Sequence, residues 1–488
     1  MSEAHEEPSQ RRILKNTLGL VMGIGLAMLV GCTVGPDFQP PKEPVPSNWT
    51  GPESVPGAKP GALEEKDLAR WWTGFDDPVL TSLVNRAIRS NLDLLRAEAR
   101  IRQARATRGI AASGLGPRVD TSASYDRSRS PAVNVDRNGN EVGGEAANQY
   151  QAGFDAGWEL DIFGGIRRNV EAAEADLLAS VEARRDVLVT LTAEVGRNYI
   201  DLRSFQQRIA IARKNLKAQK HSAKLTRQRF EGGFVSGLDV ANANAQVAAT
   251  AATIPLLESS AQQTMYSLSV LLGLEPAALL KELSPVSAIP ATPPPTPVGV
   301  PSDLLRRRPD IRAAEAGIHA ATARIGVATA DLFPRFTLSA SIGTLASQLA
   351  SWLDWSSRFW SFGLLGSWPL FTSGRIRSNI ELQKALQEEN MIAYRHTVLT
   401  ALQEVENVLI ASAKEQEHRN ALVEAVAANR KAVDLATQLY TMGQTDFLNV
   451  LDAQRSLFAS EDALAQSTGI VSTNLVAIFK ALGGGWSE

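Results

Sequence analysis

Five histidines and one cysteine are the residues of this sequence best suited to metal or covalent chemistry. His5, His221, His319, His396 and His418 stand singly, with no second ligand at the spacings that zinc sites use, so no metal centre is expected. Neither a nucleophile elbow nor a phosphate-binding loop occurs, and Cys32 is the only thiol in 488 residues. The expectation is a protein that is not an enzyme and needs no cofactor.

A different chemistry is open to Cys32. Arg11, Arg12 and Lys15 precede a charge-free run from Asn16 to Gly31, the cationic-then-apolar order of a secretory signal peptide. The run is short for a membrane span, which takes about 20 apolar residues. Leu29-Val30-Gly31-Cys32 resembles a bacterial lipobox, which implies cleavage before Cys32 and acylation of its sulfur by a diacylglyceryl group. Pro36, Pro40, Pro41, Pro44 and Pro46 follow, so no core is expected around this thiol. Thr33 offers no charge that would suggest retention at the inner membrane. Glu3, Glu6 and Glu7 are unusual for a signal peptide, and translation is expected to begin later than Met1.

The net charge of -2, from 50 basic and 52 acidic residues, gives no electrostatic footprint for nucleic acid. No window after Gly31 is long and apolar enough to cross a bilayer as a helix. Entry into a membrane other than by a lipid would therefore require strands in a closed barrel.

The elements that would build such a barrel are repeated. NLDLLRAEARIRQARA from Asn91 aligns with RPDIRAAEAGIHAATA from Arg308, so that Asp93 meets Asp310, Glu98 meets Glu315 and Ile101 meets Ile318. Trp158 and Leu160 answer Trp368 and Leu370, and FEGGFVSGLDVANA from Phe230 answers YTMGQTDFLNVLDA from Tyr440. Each copy reads as a helix, two strands and two long helices. In YQAGFDAGWEL one face carries Tyr150, Ala152, Phe154, Ala156, Trp158 and Leu160, and the other Gln151, Asp155 and Glu159. In RFWSFGLLGSWPL the apolar face is Trp360, Phe362, Leu364, Trp368 and Leu370, and partner strands are expected near 118–127 and 335–344. A soluble sandwich strand alternates in the same way. Strands of about ten residues with terminal aromatics also suit a transmembrane barrel, but four cannot close one, so several copies would have to share it.

Leu188, Val195, Leu202, Ile209, Leu216, Ala223 and Phe230 recur every seven residues. Val240, Val247, Ile254, Ala261 and Leu268 repeat the pattern, as do Val450, Leu457, Leu464, Val471 and Ile478. Four heptad helices are expected to pack as two antiparallel hairpins, the longest running from about 167 to 231 and extending about 95 Å at 1.5 Å per residue. Pro255 is expected to kink its helix.

The lipobox, RWWTGFDDPVLTSLVNRAIRSNLDLLRAEARI from Arg70 and LLRRRPDIRAAEA from Leu304 together resemble the outer membrane factor (TolC-type) family, in its lipoprotein branch serving resistance-nodulation-division efflux pumps. The resemblance covers essentially all of the mature chain. It implies an α+β, mostly helical fold in which a tandem duplicated unit gives a shared trimeric twelve-stranded outer-membrane β-barrel on a long antiparallel coiled-coil barrel in the periplasm. It divides the chain into a signal peptide (1–31), an N-terminal linker and equatorial segment (32–89), a first repeat (90–290), a second repeat (291–482) and a tail (483–488). The implied role is the passive exit duct of a tripartite efflux system in the Gram-negative outer membrane, carrying drugs or other toxic small molecules. The implied partners are two further copies, a periplasmic adaptor, an inner-membrane resistance-nodulation-division transporter and outer-membrane lipids. The alternatives are the duct of a type I protein-secretion system and a non-conducting structural lipoprotein.

A duct must be shut at its free end, and EGGFVSGLD and TMGQTDFLN are the hairpin tips, turning at Gly232, Gly233 and Gly443. Leu448 and Asp452 lie four residues apart and share a helix face. Three copies would make an apolar ring and a carboxylate ring, although Leu448 read alone is equally well the first core residue of its helix. The resemblance implies a periplasmic aperture at Leu448, Asp452, Asn449, Asp239 and Tyr440. Asn449 and Thr445 depart from relatives that carry an aspartate and a locking arginine there. Arg306, Arg307 and Arg308 stand before the Pro309-Asp310 helix start and are expected to make ion pairs there.

Overall fold

The computed structural model describes residues 33–50, 68–129, 134–135, 141–142, 146–292 and 300–487. The signal segment and Cys32 lie outside the described residues. After a 3-10 turn at Trp71–Phe75 come α1 (Pro78–Ser90), α2 (Leu92–Ser113), β1 (Arg118–Arg129), β2 (Asn134–Val135), β3 (Glu141–Val142) and β4 (Ala146–Leu160). Next are α3 (Gly165–Glu231), α4 (Gly237–Leu271), α5 (Leu280–Leu283), α6 (Pro301–Arg307) and α7 (Pro309–Ala330). The chain ends with β5 (Arg335–Ala346), β6 (Arg358–Ser367), α8 (Arg375–Thr441) and α9 (Phe447–Ala481). Among the described residues no helix is long and apolar enough to cross a membrane.

The duplication is written in element lengths. The long helices α3 and α8 have 67 residues each, their partners α4 and α9 have 35 each, and a five-residue turn joins each pair. At 1.5 Å per residue the longer ones extend about 100 Å. Pro255 sits inside α4 without ending it.

The chain divides into two units, each drawing on both repeats. One holds the segments up to Pro41, 102–179 and 315–393, and the other 42–101, 180–314 and 394–488. The first contains a four-stranded antiparallel sheet in the order β1-β4-β5-β6, so that β4 of one repeat pairs directly with β5 of the other. The short β2–β3 ladder between β1 and β4 carries no alternation that the sequence could reveal.

Register assigns each face of the sheet. Thr121, Phe154, Ile342 and Trp360 form one cross-strand row, and Asp120, Asp155, Ser341 and Ser361 the next. Successive side chains point to opposite faces, so the first row belongs to an apolar face and the second to a polar one. On the apolar face Trp360 is 78% exposed and Phe362 71%, leaving a continuous apolar surface to meet something other than water. On the polar face Arg118 pairs with Asp120 at 2.8 Å, and the Ser341 and Ser361 hydroxyls are 2.7 Å apart. The duplicated tryptophans do the same work twice: Trp158 Nε1 donates to the Leu115 carbonyl and Trp368 Nε1 to that of Leu332, both at 3.0 Å.

In the second unit Arg308 answers the expectation of ion pairs. Its buried guanidinium donates to both Asp310 oxygens (3.0 and 2.7 Å), to Glu404 (2.7 Å) and to the Ala481 carbonyl (3.0 Å). Burial opposes the charge, but the bonds to Asp310 and Glu404 outweigh it and hold the guanidinium pKa above its ordinary value.

Candidate functional site

The site expected to close a duct is the pair of hairpin tips. Both turns use the same device. Gly233 and Gly443 adopt φ of +79° and +75°, a conformation glycine reaches without steric cost. The amide after each bonds back into the ending helix, Phe234 to the Arg229 carbonyl at 2.8 Å and Gln444 to that of Leu439 at 2.9 Å, which satisfies carbonyls the helix end would otherwise leave bare.

Beneath the turns lies a small core of Ala243, Tyr440, Phe447, Val450 and Leu451. Each large apolar side chain buried there contributes about 1.5–3 kcal/mol. The face of α9 that supplies Phe447, Val450 and Leu451 is therefore committed to the interior. Leu448, 55% exposed, and Asp452, with an exposed side chain, lie on its other face. Asp452 has Arg455 as a loose neighbour at 3.9 Å. Exposed Asn449 donates to the Thr445 hydroxyl at 2.6 Å, tying the first turn of α9 to the preceding loop.

Tyr440 and Asp239 have other settings. Tyr440 is 3% exposed, packs its ring 5.5 Å from that of Phe447 and donates its hydroxyl to Thr226 at 3.4 Å, so within the protomer it is a core residue. The Asp239 carboxylate accepts from the Ser236 amide and hydroxyl, both at 3.0 Å, while the Asp239 amide donates to Ser236 Oγ, forming the capping box that starts α4. Leu448, Asn449 and Asp452 are brought together on one exposed face; Tyr440 and Asp239 are not among them.

Arg229 is a tip residue that sequence reading missed. Its guanidinium lies 4.5 Å from the Tyr440 ring centroid and donates to the Tyr440 carbonyl, linking the last turn of α3 to the last turn of α8. It is the end of a series. Arg208 pairs with Asp462 (2.8 and 2.9 Å), Asn215 donates to Glu461 (3.0 Å) and Ser222 accepts from Gln454 (2.8 Å). These four residues follow one another at intervals of seven along α3, directly before the apolar heptad positions. At the centre of the ladder, burial of Glu461 opposes its charge, but Arg430, Asn215 and Lys214 outweigh that and lower its pKa. The hairpins of the two repeats are thus held in register by polar contacts made of charged and amide groups.

A second feature lies where the described residues begin, in the strand-bearing unit. The Val34 amide donates to the Phe163 carbonyl at 3.1 Å, just past the end of β4. Buried Arg168 holds the segment with bonds to the Val34 carbonyl (3.3 Å), Asp37 (2.6 Å) and Glu171 (2.8 Å), and Phe38 stacks on His319 at 4.4 Å. The described segment from Thr33 is thus held beside the end of a sheet strand. Among the described residues no group of histidines, cysteines and carboxylates could hold a metal ion.

Comparison with known proteins agrees with this geometry. The Toluene efflux pump outer membrane protein TtgF of Pseudomonas putida is 34% identical over 480 residues, covering 96% of this chain and 97% of TtgF. Outer membrane protein OprJ of Pseudomonas aeruginosa is 34% identical over 477 residues, 96% of each chain. The solved structure of the outer-membrane channel OprN superposes with a TM-score of 0.86 at 38% identity, covering 93% of this chain and all of that one. The family model described as outer membrane efflux protein matches residues 83–274 and 300–484, and on that match the chain belongs to the outer membrane efflux protein family.

Proposed function

We propose that three copies of this chain form a passive exit duct through the outer membrane, closed at the hairpin tips by Leu448 and Asp452. The observation that carries this reading is the open-edged sheet with one apolar, exposed face. In a bilayer the unpaired backbone groups of β1 and β6 would each cost several kcal/mol, so the edges must pair with other copies. Four strands from each of three copies make twelve, which is enough to close a barrel with a lumen. Such a barrel turns Phe154, Ile342 and Trp360 to lipid, and Asp120, Asp155 and Ser341 to the lumen. Helices of about 100 Å carry the passage onward into the periplasm.

Energy comes from partners, a periplasmic adaptor at the tips and an inner-membrane resistance-nodulation-division transporter, and the duct itself performs no catalysis. Its cargo is small toxic compounds, a class to which the toluene named for the relative TtgF belongs. Co-expression with a resistance-nodulation-division transporter and its adaptor, in cells lacking other exit ducts, is expected to lower accumulation of a fluorescent dye several-fold. Unchanged dye levels together with release of a protein when an ABC exporter is supplied instead would assign the duct to type I secretion.

The segment starting at Thr33 supports acylation of Cys32, because its docking beside the end of β4 would put a lipid at the membrane rim. Cys32→Ser is expected to abolish incorporation of labelled palmitate while the barrel still inserts. Label retained by the Ser variant would contradict the lipid anchor.

A further inference from the structure

Of the three consecutive arginines, Arg308 is consumed by Asp310 and Glu404, and the other two are not. Arg306 is exposed and Arg307 half-buried, and neither has a hydrogen-bond or ion-pair partner among the described residues. Both line a pocket of about 270 Å³ together with Leu68, Asp303, Arg312, Gly483 and Trp486. The pocket wall is fixed from several directions. Arg185 and Arg312 lie 4.4 and 5.4 Å from the Trp486 ring centroid, and buried Glu182 pairs with both arginines. The Gly485 amide pins the tail to the Leu68 carbonyl at 2.8 Å.

Among the residues that line the pocket, the side-chain groups without partners are donors, whereas the unmet Glu182 Oε2 lies behind the wall and outside the lining. Besides the guanidinia of Arg306 and Arg307, the Trp486 Nε1–H is buried without an acceptor. A buried donor left unmet is destabilising, so the pocket suits a ligand that brings acceptors and negative charge. Arginine's planar fork matches the two oxygens of a carboxylate. Asp303 in the lining disfavours a dianion such as phosphate, and Leu68 with the indole offers an apolar wall to whatever bears the carboxylate. We propose that this pocket binds the C-terminal carboxylate of a peptide presented in the periplasm, a contact separate from the one at the hairpin tips.

The test uses the full chain purified as the assembled protein, with acetyl-Ala-Ala as the probe in saturation-transfer NMR. The free acid is expected to receive saturation and its C-terminal amide is not. Arg306→Gln with Arg307→Gln should weaken binding at least about tenfold per arginine removed, while assembly and conductance stay unchanged. Trp486→Phe, which deletes the N–H together with one ring of the indole, should weaken it by a smaller factor than the double arginine variant does. No saturation of the acid, equal saturation of acid and amide, displacement by equimolar inorganic phosphate, or an unchanged signal from the double variant would each overturn the assignment.

Discussion

The Leu448→Ala, Asp452→Ala double variant is expected to assemble normally and to conduct several-fold more current than the unsubstituted protein in planar bilayers. Both side chains lie on the exposed face of α9, where truncation changes stability by about 0.5 kcal/mol or less. The tip core of Tyr440, Phe447, Val450 and Leu451 is untouched, and so is the Arg229 contact across the hairpins. On the proposed closure, the variant loses an apolar ring that would exclude water and a carboxylate ring that would draw cations. Cation preference should therefore fall as conductance rises. Equal conductance and selectivity in the two proteins would move the constriction elsewhere along the tube.

The largest loss of stability is expected from Arg308→Met. The substitution keeps much of the packing volume but leaves Asp310 and Glu404 without the cation that holds them, and it removes the donor to the Ala481 carbonyl. Asp310 and Glu404 are partly exposed and solvent screens the charges left behind, so the cost is about 1–3 kcal/mol and comes mainly from the lost charge-assisted hydrogen bonds and the unmet Ala481 carbonyl. Asp186 gives the deficit a pH dependence. Burial, then the charge of Asp310, pushes its pKa up, while Arg308 pulls it down. A carboxyl with a raised folded pKa contributes stability that is present in acid and lost as pH rises through that pKa. Without Arg308 the Asp186 pKa rises further, so the variant should be least stable relative to the parent near neutral pH and recover part of the difference in acid. Thermal unfolding of the two proteins across that range measures it, and a pH-independent deficit would remove Asp186 from the network.

The strands were legible because alternation over ten residues has one simple cause, a sheet with one apolar face. Trp158 and Trp368 made the duplication visible in the same stretch. The long helices were legible from their heptads, and Gly233 and Gly443 marked where they turn. Which way a side chain faces at the end of a 67-residue helix was not legible. An ideal helix drifts about 20° per heptad from a strict seven-residue repeat, so a small error in phase turns a residue from surface to core over that distance. Tyr440 is such a residue: within the protomer it packs under Phe447. Arg229 could not be found because its partner is 211 residues away and on the other repeat. Ion pairing at the helix start was legible for Arg308, whereas its partner Glu404, in another element, was not.

The proposed trimer makes one claim that a single measurement reaches directly: three copies of Leu448 converge on one conducting axis. Cys32 is the only native thiol, so Leu448→Cys in a Cys32→Ser background places one thiol per chain, all at the tip. Thiolates bind soft metal ions, and three of them around a narrow axis should capture a cadmium ion in the current path. The account predicts that micromolar cadmium blocks the single-channel current of this variant and that a chelator restores it. Current that cadmium leaves unchanged, in a protein whose thiols are shown to be free and reduced, would contradict it.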